Sequence, residues 1–112
     1  MGGKDKRIAK RVETELFISF YVLNDMGSPQ AGSMGLALNI SRTGVMLENR
    51  NEIAKNSRLS LELAVGDDTI QVKGLVKYSK KADDVFHIGI ELIDLTEEEL
   101  ALIGKYYPDV EE

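Results

Sequence analysis

The sequence has no cysteine, one histidine and two prolines. Without cysteine, the chain forms no disulfide and carries no cysteine-based metal site or thiol nucleophile. No segment approaches the roughly 18 apolar residues that a membrane-spanning helix requires, so we expect no membrane insertion. The charged start of the chain has no apolar stretch directly after it, which argues against a secretory signal peptide. We therefore expect a cytoplasmic protein.

Residues suited to catalysis are equally scarce. His87, the single histidine, falls on the polar side of a predicted strand, where a surface or cross-strand role explains it best. The sequence has no H-E-x-x-H motif, no P-loop and no recognisable serine–histidine–acid arrangement. The pair Asp67-Asp68 fits a hairpin turn better than a metal site. We expect a protein that is not an enzyme and that needs neither a metal nor a cofactor.

Charge is unevenly distributed along the chain, which has a formal net charge of −5. Residues 91–112 are acidic, whereas the start of the chain is basic and carries Lys4, Lys6, Arg7, Lys10 and Arg11. A negative net charge and only seven aromatic residues, most of them expected in the core, argue against DNA or RNA binding. A basic arm on an acidic body favours a small anionic ligand held by the arm. A solvated tail is the alternative.

Apolar residues recur with period two in six segments, which predicts half-buried antiparallel strands. We expect these strands over 16–22, 34–40, 44–48, 59–65, 70–78 and 86–92. The first turn is predicted at 24–30 and extends to Ser33, and the last is predicted at 80–84. In the fifth strand the alternation places Val76 and Tyr78 on the core side together with Ile70 and Val72.

A C-terminal helix is predicted over about 96–107. Thr96 is a favourable N-cap, and Glu99 stands three residues later, where it completes a capping box. The apolar residues Leu100, Ile103 and Tyr107 form one stripe that can cover a mouth of a barrel. The pattern predicts a mostly β domain over 14–112, a small six-stranded antiparallel β-barrel or sandwich with this helix. A flexible basic arm, residues 1–13, precedes it.

Two short motifs stand out against this background. The segment Arg7-Ile8-Ala9-Lys10-Arg11 has the spacing R-x-x-x-R, and Asn39-Ile40-Ser41-Arg42-Thr43-Gly44 has the spacing N-x-S-x-x-G. Each motif alone is weak, but in this order and at this separation they resemble the PilZ family over about residues 6–107. Leu75–Tyr78 and Gly89–Leu92 also match features of that family. The departures are Tyr78 where tryptophan is common, Leu92 where phenylalanine is common, and Asn39 rather than aspartate.

The resemblance implies a split-barrel-like fold that binds the bacterial second messenger cyclic di-GMP without chemistry. By resemblance, Arg7 and Arg11 grip phosphate and guanine with their planar donor forks. Asn39 offers its amide oxygen to the guanine amine, Ser41 donates to phosphate or base, and Gly44 lets the backbone approach the ligand. Arg42 is either a further phosphate contact or a solvated loop residue.

The resemblance also implies a signalling role. We expect the arm to order on the ligand and thereby relay its level to a downstream protein, for example one of motility or biofilm machinery. The alternative is a PilZ-like protein-interaction module that binds no nucleotide. One ligand or a stacked pair are both compatible with the motif.

Overall fold

The computed structural model describes residues 9–10, 12–107 and 110–111 of the chain. Its elements are β1 (Ala9–Lys10), β2 (Val12–Leu23), β3 (Pro29–Ile40), β4 (Gly44–Asn49), β5 (Arg58–Val65), β6 (Asp68–Ala82), β7 (Val85–Ile93), α1 (Glu97–Tyr106) and β8 (Val110–Glu111). Six strands close an antiparallel barrel in the order β2-β3-β4-β7-β6-β5, and β1 pairs with β8 in a separate two-stranded sheet. The predicted barrel with a C-terminal helix is confirmed.

The core lies inside the barrel and consists of side chains that point inward at alternate positions along each strand. In β5, for example, every second residue from Leu59 to Val65 is buried, as the period-two pattern predicts. The barrel closes where β2 meets β5, with Phe20 opposite Leu61. Fully or nearly fully buried residues from all six strands and from α1 share this core: Ile18, Phe20, Ala37, Ile40, Val45, Leu47, Leu59, Leu61, Leu63, Val76, Ile88, Ile90 and Ile103.

Helix α1 covers one mouth of the barrel, and its start follows the sequence signals. The Thr96 side chain accepts from the Glu99 N–H, and the Glu99 carboxylate accepts from the Thr96 N–H, which completes the capping box. Ile103 is fully buried, and the Tyr107 hydroxyl donates to the Ala64 carbonyl at 2.7 Å. Burial raises the pKa of Tyr107.

One member of the predicted helix stripe lies outside the core. Leu100 is 38% exposed, because the buried face of the helix centres on Ile103 and Tyr107, and Leu100 lies at its margin. Leu102 and Leu95 pack against the core instead. The described part of the chain contains no helix that is both long and apolar enough to cross a membrane.

Two strands extend into segments that were predicted as turns. β3 begins at Pro29, because the turn is completed within 24–28, where the Asn24 side chain accepts the N–H groups of Met26 and Ser28. β6 continues to Ala82, and Asp83 alone adopts a left-handed φ of 58° in the turn. In both places, backbone pairing with the neighbouring strand overrides the weak strand preference of polar residues and glycines.

Candidate ligand-binding face

Two β-bulges decide which side chains face outward from the barrel near the N-x-S-x-x-G segment. The pairing of β3 with β4 shifts between Ala37 and Asn39, so that Asn39 stands opposite Met46. Ala37 and Ile40 are both fully buried. The extra residue in the ladder therefore turns Asn39 to the outer face, where a strict alternation from Ala37 would have pointed it inward.

The second bulge corrects a prediction. The pairing of β6 with β7 shifts between Val76 and Tyr78, and Tyr78 stands opposite Gly89. Val76 is fully buried but Tyr78 is 45% exposed, so the predicted core position of Tyr78 is wrong. The bulge at Lys77 breaks the period-two alternation and re-aims the aromatic ring outward.

These two bulges assemble a row of four outward residues across four strands, which we call the outer row: Asn39, Met46, Gly89 and Tyr78. Successive members are direct cross-strand partners. The Tyr78 ring lies over Gly89, where a Cβ atom would stand 2.3 Å from the ring. The Tyr78 hydroxyl is 3.7 Å from the Met46 sulfur. The outer row therefore presents an amide, a thioether and a phenol ring along one line.

The loop between β3 and β4 is held together by Ser41. The Ser41 side chain is 1% exposed, and its Oγ accepts the N–H groups of Thr43 at 3.2 Å and Gly44 at 3.3 Å. The Ser41 N–H donates to the Gly44 carbonyl at 2.9 Å, and the two hydroxyls of Ser41 and Thr43 are 3.0 Å apart. Ser41 thus shapes the turn beside Asn39. Its donation to a ligand stays a prediction.

Replacing Ser41 with alanine is expected to lower the free energy of unfolding by about 1–2 kcal/mol, because it leaves the buried Gly44 N–H without its acceptor. Urea unfolding followed by circular dichroism measures this. Ser60→Ala, on the outer face of β5, is the matched control and should change stability by less than about 0.5 kcal/mol. Equal losses in the two variants would show that the Ser41 hydroxyl does not organise the loop.

Gly44 is placed by the barrel itself. It pairs with Glu91 at the start of the β4–β7 ladder, and a Cβ atom on Gly44 would stand 2.6 Å from the Ile90 carbonyl oxygen. The close approach of the β7 backbone therefore requires glycine here. From the sequence we expected glycine at this position for a different reason, the approach of a ligand to the backbone, and that reason stays a prediction.

A shallow pocket of about 180 Å³ opens between this loop and the outer row. Gly44, Met46 and Tyr78 line it, and the Lys77 ammonium lies 3.5 Å from the Glu91 carboxylate at its rim. Small-molecule pockets usually measure about 300–1,000 Å³. A ligand larger than one ring would thus lie across the barrel surface and would need another segment to cover it.

The remaining predicted residues differ in what the structure says of them. Arg42 is exposed, and its aliphatic stem packs over α1, 3.1 Å from the position of a Cβ on Gly104. Arg7 and Arg11 lie outside the described residues. Between them, the backbone of Ala9 and Lys10 pairs with Glu111 and Val110. Of the predicted residues, the structure places Asn39 on the outer face and joins Ser41 to Gly44 in the adjoining turn, and Gly44 lines the pocket.

The sequence interpretation missed the aromatic component of this face. Four of the seven aromatic residues are exposed, so the expectation that most of them lie in the core is wrong: Phe17, Tyr21, Tyr78 and Tyr106. Of these four, Tyr78 belongs to this face. The sequence offers one sign that Tyr78 is exposed, the polar run Ser79, Lys80 and Lys81 directly after it. Its spacing of two residues from Val76 indicates burial instead. A single-sequence pattern does not reveal the bulge between them. His87 lies on the outer face 3.8 Å from the Glu48 carboxylate, as its predicted cross-strand role requires.

The family described as PilZ domain matches residues 5–107. No curated protein matches the sequence significantly.

Solved structures with the same fold include apo MrkH of K. pneumonia, with 16% identity and a TM-score of 0.63 over 92% of this chain and 49% of that chain. The MotI (DgrA) inhibitor of motility of Bacillus subtilis has 16% identity and a TM-score of 0.63, over 91% of this chain and 50% of that chain. The K. pneumonia MrkH–c-di-GMP complex has 15% identity and a TM-score of 0.59, over 91% of this chain and 51% of that chain. The chain spans about half the length of these proteins, and at such identities the similarity establishes the fold.

Proposed function

The chain belongs to the PilZ domain family, and from this premise we propose that it is a receptor for cyclic di-GMP that performs no chemistry on its ligand. The observation that carries the proposal is a pocket lined by both Gly44 of the N-x-S-x-x-G segment and the outward ring of Tyr78, with Asn39 in the same cross-strand row as Tyr78. MrkH, which shares the fold, has been solved as a complex with c-di-GMP.

The chemistry of the ligand fits this face. Cyclic di-GMP offers two guanine bases and two phosphates. The Asn39 amide oxygen is an acceptor for the guanine amine, and the Tyr78 ring is a stacking surface for a purine. The turn that Ser41 holds places Thr43 and Gly44 in the wall of the pocket.

The pocket supplies little positive charge for two phosphates. Among the described residues, Lys77 is the only cationic side chain that lines the pocket, and it forms an ion pair with Glu91. The phosphates therefore need the guanidinium groups of Arg7 and Arg11, which the R-x-x-x-R motif supplies. A basic arm that covers a ligand lying on the barrel also excludes water from it.

This arrangement supplies a relay. Residues 1–13 include Ala9–Lys10 and the start of β2, which already lie in strands. The segment as a whole becomes fixed on the barrel when the ligand binds and so creates a surface that a partner protein reads. The partner acts in the cytoplasm, in motility or biofilm regulation. Backbone NMR relaxation of residues 1–13 with and without ligand tests this step, and equal order in both states would overturn it.

The alternative function is a protein-interaction module without nucleotide. Calorimetric titration with cyclic di-GMP, with GTP and cyclic di-AMP as controls, separates the two. Micromolar or tighter binding confined to cyclic di-GMP supports the receptor, and the fitted ratio gives one ligand or two. No heat at ligand concentrations near a millimolar would favour the interaction module.

The stacking role of Tyr78 has its own test. Tyr78→Ala is expected to weaken cyclic di-GMP binding about tenfold, because base–aromatic stacking contributes about 1–3 kcal/mol per base. Tyr78→Phe keeps the ring and should bind nearly as tightly as the wild type. Calorimetry measures both affinities.

Tyr21→Ala is the matched control for the Tyr78 variants. Tyr21 is exposed to a similar degree, and it lies over Gly32 as Tyr78 lies over Gly89. It stands on the β2–β3 hairpin, away from the pocket. If both alanine variants lose the same affinity, Tyr78 has no specific role in binding.

A further inference from the structure

The β2–β3 hairpin is nearly free of charge. Residues 16–41 contain a single charged side chain, Asp25 in the turn, although charged residues make up 29% of the whole sequence. Apart from Glu13 and Glu15 at the start of β2, the hairpin is therefore nearly neutral in a chain with a net charge of −5. A neutral surface lacks the charge that would steer it toward a nucleic acid or a strongly charged protein.

The hairpin also has an open strand edge. β3 pairs with β4 only over Leu36–Ile40, so that within the described part of the chain its first half, 29–35, pairs with β2 alone. The backbone N–H and C=O groups on the other side of that half are a template for another strand. Proteins usually protect such an edge with lysine, inward charges or proline, and here Pro29 at the first position is the only such residue.

Apolar side chains accompany this edge on the outer face of the hairpin. Phe17 is 69% exposed and Met34 is 62% exposed, and Tyr21 stands on the same face. Phe17 is the cross-strand partner of Leu36, so the apolar side chains of the two strands form one continuous surface. We call the open edge 29–35 together with Phe17, Tyr21 and Met34 the neutral edge.

We propose that the neutral edge is a self-association surface, on which a second copy of this chain pairs its own β3 antiparallel to the first. The pairing strand must be extended, uncharged and free on one side, and residues 29–35 of a second copy meet each of these requirements. A two-fold axis through the middle of 29–35 joins the two sheets and places the two Met34 side chains on one continuous face.

Electrostatics favour the same occupant. Two copies of an acidic chain repel each other over most of their surfaces, and the neutral edge is where that repulsion is smallest. The surface is separate from the candidate ligand-binding face, which uses the other end of β3. Self-association therefore does not depend on the proposed ligand.

The test compares three proteins by analytical ultracentrifugation over about 5–200 µM, a range that covers weak dimers. The wild type should show a concentration-dependent dimer. Met34→Lys places a charge against its own copy and should weaken dimerisation at least tenfold. Met26→Lys is the matched control, because Met26 is 88% exposed in the turn beyond the open edge, and it should dimerise as the wild type does.

Cross-linking tests the proposed dimer independently and so applies even if Met34→Lys fails to fold. Because the chain has no cysteine, single cysteines can be placed at Gln30, Gly32, Ser33 and Met34 in turn. In a two-fold antiparallel pair only the position nearest the axis stands opposite itself, within about 5.5 Å, so one of these four variants should form a disulfide-linked dimer under mild oxidation. Met26→Cys should not cross-link.

Three results overturn the proposal: a wild type that stays monomeric throughout the range, an equally strong dimer in Met34→Lys, or no cross-link at any of the four positions. A monomeric wild type would leave the edge to a strand from another protein. Calorimetry with cyclic di-GMP on Met34→Lys keeps the two proposals apart, because ligand binding should be unchanged when the dimer is lost.

Discussion

Replacing Arg7 and Arg11 together with alanine is expected to lower the affinity for cyclic di-GMP at least about 100-fold. Hydrogen bonds to charged groups contribute about 1.5–3 kcal/mol each, and the pocket itself supplies one paired cation for two phosphates. Each single alanine variant should lose about 1–3 kcal/mol of binding free energy. Calorimetric titration with cyclic di-GMP measures all three.

Two further variants show whether the loss is specific to the motif. Arg50→Ala removes an exposed arginine that directly follows the end of β4, and it should leave affinity unchanged. The double replacement of Arg7 and Arg11 with lysine keeps the charge but loses the planar fork, so affinity should remain well below that of the wild type. Full binding by the double alanine variant would overturn the assignment.

Stability supplies the second readout for the arginine variants. If the arm acts only on the ligand, the free energy of unfolding without ligand should change by less than about 0.5 kcal/mol. A loss of several kcal/mol would instead make the arm a structural part of the domain.

The parts of the fold that local chemistry determines were predictable from the sequence. The helix begins where Thr96 and Glu99 satisfy each other's backbone groups, and this needs only residues three positions apart. The β5–β6 hairpin turns at Gly66, whose φ of 70° suits glycine, with Asp67 beside it. In both places the structure depends on residues that are close together in the sequence, so their spacing is enough to predict it.

The outer row could not be predicted in the same way. Asn39 was found through its motif, but Tyr78 was assigned to the core because its alternation with Val76 is unbroken in the sequence. A bulge is a property of two paired strands, and the neighbour that accommodates the Tyr78 ring is Gly89 on β7. The position of Tyr78 thus depends on a contact between residues far apart in the chain.

Ser41 and Gly44 show a different gap between motif and structure. The N-x-S-x-x-G spacing marked both as ligand residues, and the structure gives both a role in the barrel. Ser41 binds the backbone of its own loop, and Gly44 permits contact with β7. A motif can therefore combine residues that touch a ligand with residues that hold the loop in place.

Gly44→Ala separates these two roles. The new Cβ would stand 2.6 Å from the Ile90 carbonyl oxygen, which belongs to the backbone and cannot rotate away. β4 must shift from β7, which disturbs the Leu92 N–H bond to the Thr43 carbonyl at 3.0 Å. We expect the free energy of unfolding to fall by about 1–3 kcal/mol, the usual range for overpacking. Urea unfolding measures it.

Gly104→Ala is the matched control for Gly44→Ala. Its new Cβ meets the flexible Arg42 side chain at 3.1 Å, and alanine is the better helix former by about 1 kcal/mol, so stability should be unchanged or slightly raised. If Gly44→Ala is instead as stable as the wild type but no longer binds cyclic di-GMP, Gly44 serves the ligand rather than the barrel. Loss of stability and affinity together would place the requirement for glycine in the β4–β7 contact, with ligand binding depending on it.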